Sequence, residues 1–259
     1  MLIACDIRND GVTVGFAARE GWLRILELGT GRTADEYAFF LGAALDTVRP
    51  EAGHRVVVSS VVPALTETVS SALLSVSGAK PLVIGPGVKT GIKIRTEFPS
   101  ELGSDLVCMA AAAHASQKTP CVIIDCRALL TVSFVNAAGE FLGTSIFPGP
   151  ETSIQTMRTH AAQLPEIRLA SPKNPIGKNT MQAMQAGIYW GCKGAILALC
   201  DAVLEEGNAG QAEKEKARIV ATGLPRYKML LPPGTEFSGT LALDGLAVIA
   251  GLNADLSVC

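Results

Sequence analysis

The sequence predicts an α/β fold built twice over, and three observations carry that prediction. The first is a near-copy: Leu2-Ile3-Ala4-Cys5-Asp6-Ile7-Arg8-Asn9 opens the chain, and Cys121-Val122-Ile123-Ile124-Asp125-Cys126-Arg127-Ala128 stands near its middle. In each, an apolar run ends in an aspartate, one further apolar residue follows, and then an arginine. Asp125 lies 119 residues after Asp6, close to half of the 259. The second is that each half opens with three β-type runs and continues with alternating helical and β-type segments. The third is the linker-like stretch Ser116–Pro120, which falls where two halves would join. The expected domains are therefore residues 1–117 and 118–259.

Taken in order, Leu2–Asp6 reads as a strand, closed by the turn residues Asn9-Asp10-Gly11 and returned by Val12–Ala18. Trp22–Leu28 is a third strand. Asp35–Val48 has helical periodicity, with Tyr37, Phe40, Leu41, Ala44 and Leu45 on one face. Arg55–Ser60 is a β-branched strand, Pro63–Val76 a helix opened by proline, and Pro81–Ile84 a strand. A glycine-rich loop, Gly85–Gly91, leads to an alanine-rich helix over Gly103–Ala115. The second half repeats the opening with strands at Cys121–Asp125, Leu129–Asn136 and Phe141–Phe147. Helices follow from Glu151 and over Asn179–Leu204, then a strand at Ala217–Thr222 and a closing helix at Leu241–Leu252. Three strands followed by alternating helix and strand, twice, describes duplicated ribonuclease H-like domains facing one another across an interdomain cleft.

Composition narrows the function. Hydrophobic residues make up 48% and charged residues 18%, enough for a sizeable core. A net charge of −2 gives no electrostatic case for nucleic acid or an anionic membrane surface. The seven cysteines are scattered through apolar runs with no C-x-x-C pair, and only three histidines are present. That pattern predicts reduced thiols in a cytoplasmic protein rather than disulfides or a zinc site. Asp6 and Arg8 interrupt the first apolar run, so it does not read as a signal peptide. Gly187–Cys200 contains Lys193 and is too short to span a bilayer; it is expected to be a buried helix.

Four constellations are candidates for chemistry. Asp6 and Asp125, at equivalent strand ends, read either as turn caps or as groups that position a cation or phosphate. Gly85–Gly91, with Lys89 and Thr90 inside it, has the backbone freedom to cradle an anion, although it is no Walker A loop. Asp105, after Gly103 and Ser104, reads locally as an N-terminal helix residue complementing the helix dipole; the second reading is a general base. Gly177-Lys178-Asn179-Thr180 opens a helix whose free N–H groups suit an anion, or Asn179 simply caps it.

Together and in this order, these stretches resemble the type III pantothenate kinase family of the actin-like and sugar-kinase superfamily. The matching residues include Arg32-Thr33-Ala34-Asp35-Glu36-Tyr37, Ser59-Ser60-Val61-Val62-Pro63, Gly85-Pro86-Gly87-Val88-Lys89-Thr90-Gly91-Ile92, and Glu101, Gly103 and Asp105. They continue through Ile146-Phe147-Pro148-Gly149, Leu164-Pro165 and Ile176-Gly177-Lys178-Asn179-Thr180. The resemblance implies transfer of the ATP γ-phosphoryl group to pantothenate, the first step of coenzyme A synthesis, by a cytoplasmic homodimer using a monovalent cation such as potassium. It implies Asp105 as catalytic base, Asp125 as the cation-binding aspartate and Asp6 as the first phosphate-loop aspartate. It places Thr96, Gly103, Ser104, Leu106 and Thr180 at substrate-contacting positions.

The chain departs from the family where phosphate is held. The family's first loop, D-x-G-N-T, is here Asp6-Ile7-Arg8-Asn9-Asp10, and its second, D-F-G-T-A-T-T, is Asp125-Cys126-Arg127-Ala128-Leu129-Leu130-Thr131. Arginine replaces glycine in both, Asp10 replaces a phosphate-binding threonine, and Leu106 and Thr96 stand for a family arginine and tyrosine. Phosphoryl transfer depends on positioning and charge stabilisation, so these changes predict a weak or non-catalytic paralogue. The alternatives are an active kinase with a rearranged phosphate site and a regulatory or accessory binding protein. Arg8 and Arg127 either pair with Asp6, Asp10 and Asp125, or bind another anion such as a phosphorylated metabolite.

Overall fold

The computed structural model describes residues 1–48, 53–161, 163–207 and 217–257. Its strands are β1 (Leu2–Arg8), β2 (Gly11–Ala18), β3 (Gly21–Leu28), β4 (Arg55–Ser60), β5 (Leu82–Val83), β6 (Lys93–Ile94), β7 (Cys121–Cys126), β8 (Leu129–Val135), β9 (Glu140–Pro148), β10 (Arg218–Gly223) and β11 (Glu236–Phe237). Its α-helices are α1 (Ala34–Val48), α2 (Pro63–Ser77), α3 (Ser104–Ser116), α4 (Pro150–His160), α5 (Thr180–Gly207) and α6 (Leu241–Leu252). The chain divides into two compact units: Met1–Ser116 with the chain from Thr240 onward, and Gln117–Gly239.

In the first unit the strand order is β3-β2-β1-β4-β5, with β1 antiparallel to β2 and parallel to β4. In the second, β9-β8-β7-β10-β11 repeats that order, with β7 antiparallel to β8 and parallel to β10. The repeat expected from the two aspartate strands is therefore a repeat of topology.

Strand alternation decides which residues the sheet buries where. Ile3, Cys5 and Ile7 point into one core with Tyr37 and Leu41 of α1 and Val69 and Leu73 of α2. Ala4 of β1 and Val57 of β4 point the other way, onto Cys108 and Ala111 of α3 and Leu243, Leu246 and Ile249 of α6. Asp6 and Arg8 share Ala4's parity, and Ser59 shares Val57's, so the polar strand ends lie on the α3 side of the sheet. In the second unit Val122, Ile124 and Cys126 pack on Met184, Ile188, Cys192, Ile196 and Cys200 of α5. Asp125 lies on the opposite face.

Three expectations are corrected. The closing helix does not belong with residues 118–239: α6 packs in the first unit. Its Gly245 lies so close to α3 that an added Cβ would stand 1.8 Å from the Cys108 carbonyl oxygen, and Trp22 Nε1 donates to Asp244 Oδ1 at 2.7 Å. The apolar run Gly187–Cys200 is buried on one side only. The residues at four-residue spacing on α5 face the sheet, while Trp190, on the other side, is 47% exposed. Thr180–Gly207 is also long and apolar enough by composition to cross a membrane, but its inner face is spent on the sheet. The strand expected at Pro81–Ile84 shrinks to Leu82–Val83.

All six described cysteines are buried and unpaired. Burial pushes the thiols of Cys121, Cys126 and Cys200 from 9.0 up to about 12. Their folded-state values are raised, so the stability tied to the neutral thiols is complete below about pH 9 and falls as pH climbs toward 12. Urea midpoints measured from pH 8 to 11 should decline, and Cys126→Ala should flatten the decline. Packing gives a second test. Gly245→Ala should lower the unfolding free energy by about 1–3 kcal/mol through overpacking. Gly42→Ala in α1, whose Cβ would meet nothing nearer than 3.9 Å, should raise it by about 0.4–1 kcal/mol.

Candidate functional site

The first unit carries a polar cluster at the ends of β1 and β4. In register, Asp6 stands opposite Thr13 of β2 and Ser59 of β4. Asp6 is 1% exposed and Arg8 7%. Two residues apart on a strand, they share a face, and the guanidinium turns back on the carboxylate: Arg8 Nη1 lies 3.3 Å from Asp6 Oδ2. Arg8 Nε lies 3.7 Å from Asp10 Oδ1. The Arg8–Gly11 pairing closes the hairpin around the two-residue turn Asn9-Asp10, and both turn residues are exposed.

Ser59 ties this strand end to α3. Its Oγ lies 2.9 Å from Ser104 Oγ, which also accepts from Ser60 N at 3.0 Å and donates to the Ser60 carbonyl at 3.1 Å. Ser104 is thus the bracket that sets the N-terminus of α3 against β4. The next residue is Asp105, whose Oδ1 accepts from Leu106 N at 2.9 Å. Gly103 leaves room for that carboxylate: a Cβ there would stand 2.5 Å from Asp105 Oδ1. The Cys108 thiol records the neighbourhood, since burial and then the negative charge of Asp6 push it well above its usual value, with Asp105 adding to the effect. The Leu106 side chain is buried in the helix's first turn. Thr96 is half-buried, and its Oγ1 has no hydrogen-bond partner.

The second unit carries the matching arrangement. Asp125 stands opposite Thr131 of β8 and Thr222 of β10. Arg127 Nε donates to Asp125 Oδ1 at 3.1 Å, with the two side chains 16% and 9% exposed. The Oγ1 atoms of Thr131 and Thr222 are buried without a hydrogen-bond partner. The hairpin loop is clasped from α4: Gly149 N and Thr152 Oγ1 donate to the Ala128 carbonyl at 2.8 and 2.6 Å. A Cβ on Gly149 would stand 2.0 Å from the Arg127 carbonyl oxygen. The cation that the resemblance assigns to Asp125 does not fit this pair as built, because a guanidinium already supplies the counter-charge.

Two loops are spent on structure. At Lys89 the backbone is not free to cradle an anion, since Asn253 Oδ1 accepts from its N–H at 3.1 Å and Asn253 Nδ2 donates to its carbonyl at 2.8 Å. Asn179 caps α5: its Oδ1 accepts from Gln182 N at 2.9 Å, while Gln182 Oε1 accepts from Lys178 N at 3.0 Å. Thr180, the first residue of that helix, is exposed. Sequence reasoning gave no role to Ser59 or Thr222. Aligning β4 with β10 on the repeat would have found them, because each puts a hydroxyl beside a strand-end aspartate.

A family model described as type III pantothenate kinase matches residues 2–202. A type III pantothenate kinase from Dehalococcoides mccartyi is 37% identical over 260 residues, covering 97% of this chain and 96% of that one. One from Geobacter sulfurreducens is 34% identical over 267 residues, covering 98% and 100%. Among solved structures, MreB5 of Spiroplasma citri bound to ADP superposes with a TM-score of 0.55 at 10% identity, covering 100% of this chain and 98% of that one. That likeness, with the two repeated sheets, is the actin-like and sugar-kinase fold.

The buried pair gives a stability test. Arg8→Met leaves the Asp6 carboxylate buried without its counter-charge and should cost about 3–5 kcal/mol of unfolding free energy. Adding Asp6→Asn should recover most of that loss, so a double-mutant cycle should show coupling of about 3 kcal/mol, the upper end of what contacting residues give.

Proposed function

Because the chain belongs to the type III pantothenate kinase family, we propose that it transfers the γ-phosphoryl group of ATP to the hydroxyl of pantothenate, and does so slowly. What supports the reading is a contrast: an aspartate stands where the resemblance expects the base, while arginines stand where it expects phosphate-loop glycines. Asp105 sits at the start of α3 with Gly103 cleared for its carboxylate and Ser104 locking the helix to β4. In this reading Asp105 takes the proton of the substrate hydroxyl as its oxygen attacks phosphorus and ADP leaves. Gly103, Ser104 and Thr96 contact the substrate in the same reading, and Leu106 lacks the positive charge that the resemblance expects at its position.

In this reading the phosphate loops cause the slowness. The resemblance expects glycine after each aspartate, where bare backbone N–H groups would meet the phosphates. Here Arg8 and Arg127 fill that position and are ion-paired with the aspartates, and Asp10 adds a negative charge beside the first loop. Removing one well-placed donor from a charge-stabilising site costs about 2.7–4 kcal/mol of barrier. Loss of all turnover is the limit of the same effect, and the burial of Arg8 favours it; a binding or regulatory role would then be what remains. The proposal includes a cytoplasmic homodimer, and the support for the dimer is the apolar exposed side of α5, where Trp190 and Leu197 reach solvent.

Purified protein incubated with ATP, magnesium, potassium and pantothenate should yield phosphopantothenate at a low rate, and Asp105→Asn should cut that rate about 10²–10⁴-fold. Restoring the first loop with Arg8→Gly and Asp10→Thr should raise kcat/KM by roughly 10-fold or more. Turnover unchanged in Asp105→Asn would refute the assigned base, and turnover unmoved by the restored loop would refute the cause given for its slowness.

A further inference from the structure

We infer that Arg127 is a built-in counter-cation for Asp125, so that this chain holds its second strand-end carboxylate without an external monovalent cation. The inference stands on the geometry of the second unit and does not require that the protein turns over substrate.

A carboxylate taken out of water needs a compensating positive charge, and either a diffusible ion or a fixed side chain can supply it. The donors around Asp125 would suit a hard cation, since Thr131 and Thr222 flank it in register and their Oγ1 atoms are buried with no hydrogen-bond partner. The charge is nevertheless provided from within, by a charge-assisted hydrogen bond of 3.1 Å from Arg127 Nε to Asp125 Oδ1. Arg127 lies in the bend between β7 and β8, and that bend is held in place: its own N–H donates to the Leu129 carbonyl at 3.2 Å, and the adjacent Ala128 carbonyl is clasped by Gly149 and Thr152. A guanidinium anchored in this way cannot be diluted away.

The first unit repeats the device independently. Arg8 is ion-paired with Asp6, Nη1 to Oδ2 at 3.3 Å, on a strand with the same order of neighbours. Two separate strand ends thus carry an aspartate, a spacer and an arginine folded back on it. The two unpartnered hydroxyls beside Asp125 are what a cation site retains once its charge has been replaced.

The test is thermal melting of the ligand-free protein in potassium chloride and in choline chloride at matched ionic strength. The wild type should melt at the same temperature in both salts. Arg127→Gly should melt lower in choline chloride and regain about 5 °C in potassium chloride, the rise expected when a ligand is present at a hundred times its Kd. Arg127→Gln, which removes the charge but keeps the length of the side chain, is measured alongside as the milder variant and should show the same potassium response. Arg127→Lys should stay indifferent to the salt. A wild type stabilised specifically by potassium overturns the inference, and so does a folded charge-removed variant that ignores it. Melting needs no catalysis, so these outcomes stay distinct from any failure of the kinase reading.

Discussion

Two carboxylates lie at the ends of central strands, in places where the sheet leaves them almost no water, and each must be neutralised there. Asp6 is 1% exposed and Asp125 6%. An unpaired charge at that depth costs several kcal/mol, so the chain is constrained to keep a cation beside each. It does so with arginines two residues downstream: Arg8 shares a strand face with Asp6, and Arg127 reaches Asp125 from the bend that follows β7. Much else follows from this choice. The hairpin turn after β1 carries Asp10 as a second partner for Arg8, and the loop after β7 is gripped from α4 so that Arg127 keeps its aim.

The pairing also decides how the rest of the first unit bears on chemistry. Because Asp6 and Ser59 share a face with Ala4 and Val57, they look onto the helices α3 and α6. The Ser59–Ser104 contact then sets where α3 begins, and Gly103 leaves Asp105 the space it occupies. Packing at Gly245 presses α6 onto α3 from behind. The Asp105 carboxylate, an ion pair and a helix start are therefore one mechanical unit. By contrast, the glycine-rich loop and the start of α5 give their backbone or side-chain groups to Asn253 and to capping.

Much of this was legible in the sequence. The repeated aspartate strands announced the repeated topology because a strand's apolar parity survives even when side chains change. Strand and helix bounds such as Arg55–Ser60 and Leu241–Leu252 follow directly from β-branched runs and helical spacing. The pairing of Arg8 with Asp6 was legible as well, since a spacing of two fixes the shared face. What could not be read was tertiary. Nothing in the local sequence of α6 says that it returns to the first unit, because that depends on Gly245 meeting a carbonyl 137 positions away in the chain, at Cys108. Nor does the apolar run of α5 disclose that only one side is covered, because composition counts apolar residues without assigning them a face. The role of Ser59 is equally a matter of register, visible only once β4 lies beside β1.

The most direct test of the internal ion pairs is the exchange of arginine Nε–H protons with water, followed by nitrogen-resolved NMR. Slow exchange at Arg127, lost in Asp125→Asn and unchanged on adding magnesium and ATP, is the predicted result. Exchange as fast as that of a solvated arginine, or a signal that moves when nucleotide is added, would show that the guanidinium is not the fixed partner of the carboxylate.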